Sequence, residues 1–148
     1  MTCLDIIIQI IASFCGTLGF CFLFNIRGKK LLWASIGGMV FWGLFLILGI
    51  FIESEAVRYF IVSVCSTIYA EVLARRLKTP TTTFCIITLI PLVPGSGLYY
   101  TTTSAFSHNR EVFMTKFIDT AELAVALSLG IVLVTSVTRY FINTRNNR

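Results

Sequence analysis

The chain has 148 residues, 56% of them hydrophobic and 13% charged, with a mean hydropathy of +0.85. That apolar excess excludes an ordinary soluble domain and points to an integral membrane protein, with room for about five spans of roughly 20 residues each. The net charge of +5 sits in short loops between apolar runs, a topology signal and not a nucleic-acid-binding face.

Span one covers about Leu4 to Phe24, with Gln9 its one strongly polar interior residue and Ala12 and Gly16 spaced for close helix approach. Asp5 lies where a cleavable leader would carry positive charge, and the apolar run is longer than a leader's, so the segment reads as a retained span. Phe14 and Phe20 before Cys15 and Cys21 speak against a lipid-anchored cysteine. A basic loop, Asn25 to Lys30, leads into span two, about Leu31 to Ile52, where Ala34 and Gly38 repeat the small-residue spacing. Span three runs from about Val57 to Ala74, with Glu71 near its end, and a second basic loop carries Arg75, Arg76 and Lys78. Span four is expected over about Thr81 to Phe106, followed by a loop from Ser107 to Lys116 that holds the single histidine, His108. Span five covers about Phe117 to Val137, with Glu122 inside it, and a polar tail runs from Arg139 to Arg148.

With five spans, nine of the twelve Lys and Arg residues fall on one side of the membrane: Arg27, Lys29, Lys30, Arg75, Arg76, Lys78, Arg139, Arg145 and Arg148. The positive-inside rule then sets the N-terminus outside and the C-terminus inside. The expected fold is all-α: one polytopic transmembrane domain of five helices, the fourth discontinuous. The five cysteines, Cys3, Cys15, Cys21, Cys65 and Cys85, show no paired spacing and read as small packing residues. No metal or cofactor is expected.

The fourth span is interrupted at its middle by Pro91, Pro94 and Gly95-Ser96-Gly97. Each proline removes an amide donor and clashes with the turn before it. A broken helix at membrane depth survives only where protein or a wet cavity surrounds it. The second half then opens near Gly95, Ser96 or Gly97 with unpaired amides and a partial positive charge, an arrangement suited to a carboxylate. Tyr99 and Tyr100 lie just beyond. The same residues also fit a proline-kinked helix satisfied by its neighbours.

Two acids within the spans are candidate ion-coupling groups. Glu71 and Arg75 are four apart, hence on one helix face, and read either as a relay or as a structural ion pair. Glu122 shares a face with Ala126 and Gly130 at steps of four, which aims it into a bundle as a proton carrier unless helix tilt brings it to the interface. At the inner surface Asn25, Arg27 and Lys29 are placed to meet anionic substrate or lipid headgroups, or serve only as topology signals. Ser96 in its glycine turn suggests a nucleophile, but its one candidate base, His108, lies in a loop and not on a facing helix, so no enzyme is expected.

Two tracts resemble a known family. FNIRGKKLLWASIGGM (Phe24 to Met39) and the tract from Glu71 through Arg75, Pro80 and Phe84 to IPLVPGSGLY (Ile90 to Tyr100) are similar to the C-terminal, five-span half of the threonine/serine exporter family. The split-subunit type is the nearer likeness, and the small subunit of the two-component succinate exporter is also similar. The resemblance implies an inner-membrane, multi-pass exporter subunit for small amino or carboxylic acids. It also implies a longer partner subunit that supplies five further spans, in a geometry of inverted repeats. A succinate or dicarboxylate exporter subunit, and a non-transporting membrane scaffold, are the alternatives.

Overall fold

The structure, a computed structural model, describes residues 3–106 and 110–146. His108 and its two neighbours lie outside the described residues. Those described form six α-helices: α1 (Cys3–Leu23), α2 (Lys29–Phe51), α3 (Glu55–Leu77), α4 (Thr81–Leu89), α5 (Gly95–Phe106) and α6 (Arg110–Asn146), with a 3-10 turn at Ile90–Leu92. The all-helical expectation holds. Leu4–Leu23, Lys29–Phe51, Glu55–Leu77 and Arg110–Tyr140 are each long and apolar enough to cross a bilayer, and Thr81–Leu92 with Gly95–Phe106 make a fifth if the bent pair counts as one span.

The connections follow local chemistry. Asn25 ends α1 in the left-handed region at φ 54, which asparagine tolerates better than most residues. The Ile26 amide then closes back onto the Cys21 carbonyl at 2.9 Å. Gly28 takes φ 70 and ψ −146, open to glycine and hardly to anything else. Lys78 ends α3 at φ 48, and Pro80 then forbids a continuation of the same helix.

Two sequence expectations need correction at the last helix. The anticipated loop from Ser107 to Lys116 is already helical from Arg110, and the anticipated polar tail stays helical through Asn146. Glu111 in the first turn of α6 complements the helix dipole, and Val112, Phe113 and Met114 extend the apolar run without a breaker. At 1.5 Å per residue the helix is about 55 Å long, well beyond a hydrocarbon core of about 30 Å.

The core forms where small residues let helices close in. Gly38 faces the Thr17 side chain of α1. A methyl on neighbouring Gly37 would stand 2.7 Å from both Thr88 of α4 and Tyr69 of α3. Successive glycines thus let α2 meet α1 on one side and α3 with α4 on the other. Gly16 has open space around it and Ala12 is exposed, so among the described residues no helix approaches at the Ala12–Gly16 spacing.

Hydroxyls bind the rest. Ser66 donates to Thr88 Oγ1 at 2.9 Å, and Thr88 donates on to the Phe84 carbonyl at 2.8 Å. Both residues are fully buried, so the bond joins α3 to α4 where water cannot compete. The Tyr69 hydroxyl donates to the Trp33 carbonyl at 2.7 Å, and Phe45 packs on Tyr59 at 4.8 Å. These contacts hold α2 and α3 antiparallel.

α6 runs parallel to α3. Gly130 seats against Ser63 and the Phe60 carbonyl, Glu122 shares a groove with Glu55, and Arg139 shares a cleft with Glu71. One end of the bundle therefore collects Arg27, Lys29, Lys30, Arg75, Arg76, Lys78 and Arg139, and the other collects Glu53, Glu55, Asp119 and Glu122.

Candidate functional site

The break is real and sharp. The two halves of the fourth span meet at 63°. The Val93 amide returns to the Ile90 carbonyl at 3.2 Å, Gly95 to Val93 at 2.6 Å, and Leu98 to Pro94 at 3.0 Å. Among the described residues, the amides of Ser96 and Gly97 find no such backbone acceptor, as the opening turn of a helix requires. Pro94 is buried and Pro91 half-buried, whereas Gly95 and Ser96 are exposed.

The halves have different neighbours. α4 lies in the bundle against α1, α2 and α3, while α5 leaves it and packs along α6. Gly97 makes that approach possible, since a methyl there would stand 2.7 Å from Thr120 Oγ1. One turn on, the Thr101 hydroxyl meets Thr120 Oγ1 at 3.1 Å and the Lys116 carbonyl at 3.0 Å. Gly97 is thus a packing residue in this chain, and Gly95, with open space around it, is the one that leaves the new amides accessible. Tyr99 and Tyr100 are exposed on α5, edge to face at 5.5 Å.

Divergence of the two halves leaves a gap. α4 and α6 both pack on α3 yet hardly touch each other. Between them lies a cleft of about 490 Å³ lined by Glu71, Thr81, Thr82, Cys85, Ile86, Leu89, Ile131, Thr135, Thr138 and Arg139. It reaches from the basic end of the bundle to Leu89, the last residue of α4 before the 3-10 turn. The volume lies within the range of about 300–1,000 Å³ usual for small-molecule sites.

Its charged groups are few and placed apart. Glu71 is 16% exposed and Arg75 55%, their side chains 3.5 Å apart. Arg75 thus pairs with Glu71 from outside, and of the two only Glu71 lines the cleft. Arg139 lines it from α6 and, among the described residues, has no ion-pair partner. Thr135 spends its proton on the Ile131 carbonyl at 2.8 Å. The hydroxyls of Thr81, Thr82 and Thr138 have no hydrogen-bond partner among the described residues.

The remaining sequence candidates lie elsewhere. Glu122 is exposed at the opposite end, in a shallow groove with Ser54, Glu55 and Asp119. The expectation that it points into the bundle is therefore corrected for the isolated chain: Gly130 and Ala126 face α3 and the core, but Glu122 falls level with the first turn of α3, where cover ends. Arg27 Nε donates to Asn25 Oδ1 at 3.0 Å, and both border a hollow of about 370 Å³ with Phe22, Ile26, Gly28 and Leu31. Lys29 begins α2, exposed.

Sequence reasoning missed Arg139, which read as tail, and the threonines at the start of α4. A signal existed: Thr135, Thr138 and Arg139 recur at helical spacing on one face. It also missed Arg58, half-buried with its guanidinium 5.0 Å over the Phe45 ring and paired to Glu55 at 3.5 Å.

Four apolar helices of spanning length and a bent pair that makes a fifth if counted as one span mark a multi-pass membrane protein. Residues 9–137 match the family described as Threonine/Serine exporter, ThrE. The chain belongs to the threonine/serine exporter family, as the two tracts quoted above suggested. No curated protein and no solved structure gives a match.

Proposed function

We propose that this chain is one subunit of a two-component secondary exporter of small amino acids of the threonine/serine type. It works in the cell membrane with a longer partner that contributes five further spans. The observation that carries the reading is the 63° break in the fourth span of a chain from this exporter family. Broken helices beside a cavity are how transporters present backbone groups to small charged cargo. In this reading the Ser96 and Gly97 amides take the cargo's carboxylate at one stage of its passage. Glu71 with Arg75, and Glu122, are the candidate coupling groups. A dicarboxylate such as succinate fits less well, because Glu71 faces the cleft with a like charge.

The test is efflux of labelled L-threonine from cells lacking their own exporters and carrying this chain, its partner's reading frame, or both. Efflux should require both. Efflux of neither threonine nor succinate from the pair would support a scaffold instead. In the active pair, Glu122→Gln should flatten the pH dependence of efflux, and an unaltered pH profile would remove Glu122 as a proton carrier.

A further inference from the structure

We propose that the cleft between α4 and α6 is a zwitterion site. It takes an α-amino acid with its ammonium on Glu71, its carboxylate on Arg139 and a side-chain hydroxyl among Thr81, Thr82 and Thr138. The proposal rests on the exporter reading and adds to it a second station, on the basic end of the bundle, distinct from the amides at the break.

The argument is one of charge placement. A carboxylate held 16% exposed at the edge of an apolar membrane bundle is costly unless something positive stands near it. Arg75 answers that need only from the outer side and at 3.5 Å, a long contact for an ion pair. The inner side of Glu71 opens on the cleft, whose other charge is Arg139. A ligand that carries both charges satisfies both groups. A monocarboxylate brings Glu71 no cation beyond Arg75, a dicarboxylate opposes it, and an amine without an acid makes no use of Arg139, which stands exposed on α6.

The walls add selectivity. Cys85, Ile86, Leu89 and Ile131 make most of the lining apolar, so each charge-assisted bond counts for more than it would in water. Thr81, Thr82 and Thr138 bring hydroxyls that are not committed within the described residues, unlike Thr102, Thr103 and Thr144, which each bond the carbonyl four residues back. Sites with unspent hydrogen-bonding groups favour cargo that answers them. Hydroxylated amino acids are therefore preferred over alanine.

The experiment places a reporter thiol at the rim. Ile86 is 51% exposed and apolar. Ile86→Cys is expressed in the full chain together with the partner, and its alkylation by a maleimide is followed peptide by peptide in membranes. L-Threonine should slow that alkylation. 3-Hydroxybutyrate, which lacks the ammonium, and threoninol, which lacks the carboxylate, should each need at least about tenfold higher concentration, the cost of one charge-assisted bond. Adding Glu71→Gln should erase the advantage of threonine over 3-hydroxybutyrate, and adding Arg139→Gln its advantage over threoninol. Equal protection by all three compounds, or protection unchanged in both variants, overturns the site. So does undiminished threonine efflux from the Glu71→Gln, Arg139→Gln double variant, and that result leaves the exporter reading standing. Protection by succinate alone, with succinate efflux from the unaltered pair, overturns the amino-acid reading and the zwitterion site together.

Discussion

Gly95 and Gly97 stand two residues apart at the head of α5 and do different work. At Gly97 a side chain would run into Thr120 of α6, whereas at Gly95 there is open space. Gly97→Leu is therefore expected to push α5 off α6 and abolish efflux while the chain still inserts. Gly95→Val leaves that packing alone and screens only the amides behind it. If those amides receive a carboxylate, efflux with Gly95→Val should fall about tenfold, the worth of one charge-assisted bond, at unchanged membrane abundance. Efflux and immunoblot measured together separate the two effects, and full efflux in Gly95→Val would remove the break as a binding site.

Among the elements, α3 is the one on which the others are assembled, since α2, α4 and α6 all pack on it. Its contact with α6 depends on Gly130, where any β-carbon meets the Ser63 hydroxyl and comes within 3.0 Å of the Phe60 carbonyl. A carbonyl oxygen in a helix cannot step aside as a side chain can. Gly130→Val should then cost about 1–3 kcal/mol through overpacking and widen the cleft that α6 borders. Gly43→Ala, with nothing near it, should be close to neutral. Thermal unfolding in detergent distinguishes the pair, and equal melting would mean that the helices are not in close contact at Gly130.

Taken whole, the chain has a basic end and an acidic end, because α1, α2 and α3 alternate in direction while α6 repeats the direction of α3. By the positive-inside rule the basic end is expected in the cytoplasm. A reporter enzyme active only in the cytoplasm, fused after Arg148, should be active, and one fused at the N-terminus should not. The reverse pattern would invert the direction in which the cleft faces. α5 and the first turns of α6 lie beyond the level of Glu55, where α3 begins, and carry exposed Tyr99, Phe106, Met114 and Phe117. None of the residues of α5 is buried.

The apolar helices, the break at Pro91 to Gly97 and the segregation of charge were legible in the sequence because each is a local property: hydropathy over some twenty residues, a missing amide, a run of basic side chains. The pairing of Glu71 with Arg75 was legible for the same reason, since spacing along one helix decides it. What the tertiary structure alone decided is who faces whom. Gly97 reads as ligand-facing or packing until Thr120 is seen beside it, and Glu122 reads as buried until the start of α3 is seen to leave it uncovered. Arg139 read as tail and Thr81 as a polar end, because the residues that give them meaning are more than fifty positions away along the chain or one helix over. Only the parallel packing of α6 on α3, set by a glycine against a serine, brings them to the two sides of one cleft.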